Sequence, residues 1–339
     1  MKKLIIKFIY PLLDKLLPVT CATKIKIIGC VIVGQWRMQP FLVLDYNSVK
    51  SESEALDIFA DMDDESLEEI KRIYAETDLY ITESRRSCFI YNWGAIEHPA
   101  GLPTKKETAS ARKTFCATNH LPNCSLHIQP ASFFFHHGLK MLPTSVQAYL
   151  RDKDVIDAGA YWGDSTLVFR EYSPRRIYAF EPSPESADVM AKVLARNKIT
   201  EAEVKLEELG LGESNETMVL LEAGQLGVST EPTDDNAVAM TTVVAYATQN
   251  RLQVGLIKAD VEGMALPLIK GAVNTILRDR PVLSIAIYHN LEEFFGVYDH
   301  LRSLNANYRF LIRALSDSGL CEGETVLLAY PAELDSAEE

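Results

Sequence analysis

The 339-residue chain has few cysteines, six in all, and no CxxC pair, so it lacks both a dense disulfide framework and the spacing of common zinc modules. That usage points to a reducing compartment. Positive charge is also scarce: 34 Lys and Arg stand against 47 Asp and Glu, a formal net charge of −13. Binding to a nucleic-acid backbone rests on clustered cations, so that class of partner is excluded as an expectation. No uncharged apolar run reaches the roughly 18 residues that a spanning helix requires. The opening MKKLIIKFIYPLLDKLLP imitates a signal peptide, but Lys7, Asp14 and Lys15 interrupt it and no small-residue cleavage site follows. These absences lead to the expectation of a cytoplasmic protein. No internal repeat or low-complexity tract is present.

The first 130 residues carry two patterns of their own. Leu4, Ile5, Phe8, Ile9, Leu12, Leu13 and Leu16 share a helical stripe within residues 1–17, which suits either packing on the domain or weak contact with a membrane surface. Residues 51–70 are strongly acidic, and Asp63 or Asp64 suits the N-cap of a helix through LEEIKRIYAE. From Trp93 to Pro130 no period is sustained, and the stretch reads as a long connection. Within it Cys116, His120, Cys124 and His127 are spaced C-x3-H-x3-C-x2-H, four soft ligands in an unusual arrangement for zinc. The expected division is an N-terminal region, 1–130, and an α/β domain, 131–339.

After residue 150 the texture alternates. DVIDAG, RIYAF, EVKLEEL, TMVLLE, LIKAD and PVLSIAIY read as strands, with helices through STLVFREY, from Pro184 to about Asn197, through IKGAVNTILRD and through LEEFFGVYDHLRSL. Ser183 suits an N-cap and Pro184 the first turn after it. YRFLIRAL and ETVLLAY close the chain as an antiparallel hairpin. The pattern implies a mostly parallel sheet with helices on both faces, in which ligands bind at the carboxyl ends of the strands.

The segment Asp157-Ala158-Gly159-Ala160-Tyr161-Trp162-Gly163-Asp164 occupies that position after the first strand. Gly159 permits a tight turn, Gly163 opens the next helix, and Asp157 can accept hydrogen bonds from a cationic amine. Glu181 and Pro182 lie just past the second strand, where a carboxylate binds both hydroxyls of a ribose. That acid suits NAD and S-adenosylmethionine alike. The loop separates them, because NAD pyrophosphate requires G-x-G-x-x-G, whose middle glycine is missing here, and Asp164 repels phosphate.

These residues resemble the FkbM family of S-adenosylmethionine-dependent O-methyltransferases. VIDAGAYWGDS, IYAFEPSPE, LIKADVEG with IKGA, PVLSIAIYHN, and YRFLIRALS with ETVLLAYP follow the family's order from about Gly138 to Pro331. The resemblance implies a Rossmann-like class I methyltransferase sheet, S-adenosylmethionine as donor, and a hydroxyl of a sugar, glycan or related natural product as acceptor. Two family carboxylates are missing: the T-L-D triplet is replaced by Thr241-Thr242-Val243-Val244-Ala245, and the second acid of E-G-x-E is Ala265.

Transfer to an alcohol requires a proton acceptor. His289 ends the fifth strand, and its ordinary pKa makes it the expected general base. Asp260 would hold cofactor or substrate, and Glu262 would orient His289 or bind acceptor hydroxyls. The same two acids could ligate Mg²⁺, although two carboxylates are few for that. A catalytically inactive binding protein on this scaffold and an NAD-dependent oxidoreductase are the rival classes.

Overall fold

The computed structural model describes residues 50–86, 102–122, 124, 128–215, 217–220, 226–227, 237–316 and 324–338. The stripe in residues 1–17 and His127 lie outside them. Among the described residues no helix is long and apolar enough to cross a membrane.

Eleven strands are described: β1 (Asp154–Ala158), β2 (Arg176–Phe180), β3 (Val204–Glu207), β4 (Gly210–Leu211), β5 (Thr217–Leu220), β6 (Leu226–Gly227), β7 (Ala237–Thr241), β8 (Val254–Ala259), β9 (Val282–Ala286), β10 (Tyr308–Ala314) and β11 (Thr325–Pro331). Seven of them form one sheet in the order β10-β11-β9-β8-β1-β2-β3, parallel except that β11 runs against both neighbours. This is the expected Rossmann-like class I methyltransferase sheet with its antiparallel C-terminal hairpin. The order reverses between β1 and β8, which opens a crevice at their carboxyl ends.

Every residue of β1, β8 and β9 is buried, as a sheet covered on both faces requires. Successive side chains enter opposite cores. Ile156, Ala158, Ile257 and Leu283 pack into one, Val155, Leu256 and Val282 into the other. The helices divide accordingly. α1 (Glu52–Ile58), α2 (Asp64–Arg86), α8 (Val243–Gln249), α9 (Ala265–Lys270), α10 (Val273–Asp279) and α11 (Val297–Ser303) lie on the first face. α3 (Lys105–Thr118), α4 (Pro130–Phe133), α5 (Thr144–Ala148), α6 (Asp164–Phe169) and α7 (Pro184–Arg196) lie on the second.

Described residues before 130 pack against elements of the α/β region. Phe59 is fully buried against Phe294, Phe295 and Tyr298, and Arg313 of β10 reaches Asp63 at 2.5 Å. Asp63 also caps α2, its Oδ1 accepting from the Ser66 N–H at 3.0 Å. The stretch expected to be an irregular connection contains α3, opened by a Thr104/Glu107 capping box. Only Thr108 and Phe115 of that helix are buried, so its apolar period is too sparse to show in the sequence.

Cys116 and Cys124 form a disulfide. A disulfide sulfur offers no thiolate to a metal, so the four-ligand zinc arrangement is not what these residues build. The pairing also removes the unpaired-cysteine support for a reducing compartment.

Candidate active site

At the β1–β2–β8 carboxyl edge a cleft of about 590 Å³ opens, with Gly159, Tyr161, Asp164, Glu181, Pro182, Asp260 and Glu262 among its walls. Seven of the eleven residues expected at the site therefore line it. Asp157, Ala160, Gly163 and His289 do not.

Glu181 is fixed by its own surroundings. Its Oε2 accepts from the Tyr161 N–H at 2.8 Å and its Oε1 from the Ser183 N–H at 2.9 Å, which tie the end of β2 to the loop after β1. The residue is 7% exposed. Burial raises its pKa against the pull of those two N–H groups and of Lys258. Each oxygen keeps acceptor capacity toward the cleft. Leu209, Leu211 and Phe180 continue the wall beside it as apolar surface.

Asp157 was expected to meet a ligand amine, and the structure corrects that. It is 0% exposed. Its Oδ2 accepts from Ser165 Oγ at 2.7 Å and Thr166 Oγ1 at 2.6 Å, while Oδ1 lies 3.3 Å from Lys258 Nζ. The two residues are register partners on parallel β1 and β8, so their side chains leave the sheet on one face. Lys258 Nζ also donates to the carbonyls of Gly159 at 2.7 Å and Ala158 at 3.2 Å. Burial works against the Lys258 charge, but Asp157, Asp260 and Asp164 outweigh it and raise its pKa. Lys258 thus holds the loop carbonyls in place and commits Asp157 to the interior. Ala160 is likewise fully buried, and Gly163 sits at left-handed φ +89° over Met190, so both shape the turn without facing the cleft.

The expectation for His289 is also revised. Its Nδ1–H donates to Glu293 Oε2 at 2.9 Å, and Nε2 lies 3.4 Å from Asp260 and 3.6 Å from Glu262. Burial opposes the imidazolium, yet Asp260 and Glu293 overcome it and raise the pKa to about 10. A ring already protonated at neutral pH cannot take a proton from an acceptor. It acts as a buried cation that gathers carboxylates, standing between the two acids considered for Mg²⁺. Asp260 is held ionised in return: burial pushes its carboxyl up, but His289 and Lys258 bring it well below the usual range.

Glu293 was not anticipated. Its Oε1 accepts from the Ala265 N–H at 2.9 Å, so a buried carboxylate stands at the start of α9, beside the position whose own acid is absent. Val244, the other such position, lies in the first turn of α8, where Thr242 Oγ1 accepts from the Ala245 N–H at 2.9 Å and caps the helix.

Residues 157–312 match the model of the methyltransferase FkbM domain. Over that stretch the chain is similar to methyltransferases of the FkbM family. The FkbM methyltransferase of Methylobacillus flagellatus KT is similar at 15% identity and a TM-score of 0.49, over 85% of this chain and 60% of that one, so this chain spans about 60% of its length. An O-methyltransferase from Bacillus cereus, solved with SAH, gives 12% identity and a TM-score of 0.38 over 68% of this chain and 93% of that one. An rRNA methylase from Streptococcus thermophilus gives 13% and 0.37 over 60% and 98%. No curated protein matches.

The His289 cluster links pH to stability. The folded pKa of about 10 lies above the ordinary 6.5. The stabilisation is therefore complete below about pH 6.5 and lost as pH rises through about 10. In urea unfolding, the deficit of His289→Gln relative to the parent is expected to be largest near pH 6.5 and to shrink steadily toward pH 10. A deficit that stays constant across that range would contradict the charged-cluster account.

Proposed function

We propose that the domain transfers a methyl group from S-adenosylmethionine to a hydroxyl of a sugar, glycan or related natural product. Glu181 is the observation that carries the donor reading. Its carboxylate is oriented by two backbone N–H groups at the end of β2 and opens onto the cleft. A ribose diol presents two O–H donors that such a group accepts. The cofactor fits the rest of the wall as well: apolar Phe180, Leu209 and Leu211 suit a purine, and the surrounding acids suit a sulfonium and an ammonium. A pyrophosphate would instead meet Asp164 and Glu185, which disfavours a nicotinamide dinucleotide.

When bound, the cofactor supplies an electrophilic methyl on a cationic sulfur. The chain's part is to align the acceptor oxygen and accept its proton. Asp260 is held too strongly ionised by His289 and Lys258 to be a good base, and it serves as a fixed anion and hydrogen-bond acceptor. Glu262 is the better proton acceptor, since burial raises its carboxyl pKa despite the nearby imidazolium. The carboxyl groups of this end, Glu324 among them, suit a polyhydroxylated molecule, whose hydroxyls both donate and accept hydrogen bonds.

Titration calorimetry with S-adenosylmethionine tests the donor. Glu181→Ala is expected to weaken binding by about 1.5–3 kcal/mol, as loss of charge-assisted hydrogen bonds does, while NAD binds neither form. Unchanged affinity in a folded variant would sink this assignment. Release of S-adenosylhomocysteine with a panel of sugars and nucleotide sugars tests the acceptor class, and absence of turnover across the panel would count against it.

A further inference from the structure

We infer that Ser132 and His137 form the subsite that receives the carboxylate of the cofactor's amino-acid end. The inference rests on the donor reading above and adds residues outside the matched 157–312 span.

Both side chains line the cleft, and both present a buried polar atom with no hydrogen-bond partner among the described residues, Ser132 Oγ and His137 Nε2. The residues are 1% and 7% exposed. Buried polar atoms of a folded protein are almost always paired, so two such orphans on residues of one cavity wall mark a place where a ligand completes the bonding. Their backbone is held firmly. The His137 N–H donates to the Ala131 carbonyl at 2.6 Å, the His136 N–H to the Ser132 carbonyl at 3.1 Å, and Ser284 Oγ of β9 to the His137 carbonyl at 2.6 Å. The His137 ring packs against Phe169, with centroids 5.7 Å apart.

The sign of the ligand follows from what the rest of the wall offers. Asp164, Glu181, Asp260 and Glu262 bring acceptors when ionised, whereas burial beside Asp260 and Asp164 raises the Glu324 carboxyl to about 8. Several donors close to these acids are engaged: Lys258 Nζ with two carbonyls and Asp157, Ser165 Oγ with Asp157, and Tyr288 Oη with Asp260 at 3.3 Å. The ammonium and sulfonium of the cofactor therefore have partners in excess, while its carboxylate requires donors. Ser132 Oγ–H and the imidazole N–H supply them. Burial and the Lys258 charge hold His137 neutral, its pKa lowered to about 4, so one ring nitrogen keeps its hydrogen and the other its lone pair.

The test compares two ligands that differ in the group concerned. S-adenosylhomocysteine carries the amino-acid carboxylate, and 5′-methylthioadenosine lacks the amino-acid end. By calorimetry, Ser132→Ala and His137→Asn are each expected to weaken S-adenosylhomocysteine about ten-fold or more, the usual effect of losing a hydrogen bond to a charged group, and to leave 5′-methylthioadenosine unchanged. Asparagine tolerates the left-handed backbone at His137, and Ser132→Ala provides a second variant with little risk to folding. Unchanged S-adenosylhomocysteine affinity in both variants, or equal loss for both ligands, overturns the subsite and leaves the donor reading standing. Failure of the unmutated protein to bind either ligand overturns the donor reading and the subsite with it.

Discussion

Gly159→Ala is expected to destabilise the domain by several kcal/mol, on the order of 3–5, although it adds a single methyl group. Sequence alone suggests that a side chain here would intrude on a ligand. The structure identifies a nearer obstacle: a Cβ at Gly159 would lie 1.7 Å from the Asp260 carbonyl oxygen. That oxygen belongs to backbone at the end of β8, whose neighbouring N–H donates to the Ala158 carbonyl at 3.1 Å, so neither side can yield without opening the sheet. The left-handed φ of +70° adds the strain of any L side chain in that region, roughly 1–2 kcal/mol. Gly163→Ala provides the contrast. It shares the left-handed backbone, but its added Cβ meets only Met190 side-chain atoms at 3.2 Å and beyond. A flexible methionine can shift, so the cost should stay near the backbone strain alone. Urea unfolding of both variants decides the matter, and equal stability losses would refute the role given to the Asp260 carbonyl.

What the sequence discloses follows how local each signal is. The central strands are near-continuous apolar runs, and Ser183-Pro184 marks the start of α7, so these elements are legible without any partner. Other features depend on distant groups. The helix expected through IKGAVNTILRD is divided into α9 and α10 at Gly271-Ala272, where a Cβ on Gly271 would come within 2.0 Å of the Gly212 carbonyl oxygen. Strand β7, AVAMT, is short and apolar at both exposed and buried positions, so its sequence shows no alternation, and it finds its partners in β4 and β5. At the site, Glu181 and the Gly159 turn are readable because motif and position coincide. The state of His289 is not, since it is set by Asp260 on another segment and by Glu293 one helical turn later. Ser132 and His137 lie in SFFFHHG, where nothing but their polarity beside an aromatic run distinguishes them.

The Lys258–Asp157 pair stands between these cases, because LIKAD and VIDAG each place one charge in a strand buried on both faces. Opposite charges in two such strands call for each other, since neither could be buried alone. Lys258→Met is expected to cost about 3–5 kcal/mol, the loss that follows when one partner of a buried ion pair is removed. The residue is 2% exposed. Its removal would leave Asp157 with only the Ser165 and Thr166 hydroxyls and would release the carbonyls of Ala158 and Gly159 that Nζ holds. Asp157→Asn alone should also destabilise, by leaving the lysine without its counter-charge. Combining the two removes both charges, so the double variant should be more stable than the sum of the single effects allows. Guanidinium unfolding of the four proteins gives the coupling directly. Strict additivity would show that Lys258 acts through packing alone, and the electrostatic account of the loop after β1 would then fail.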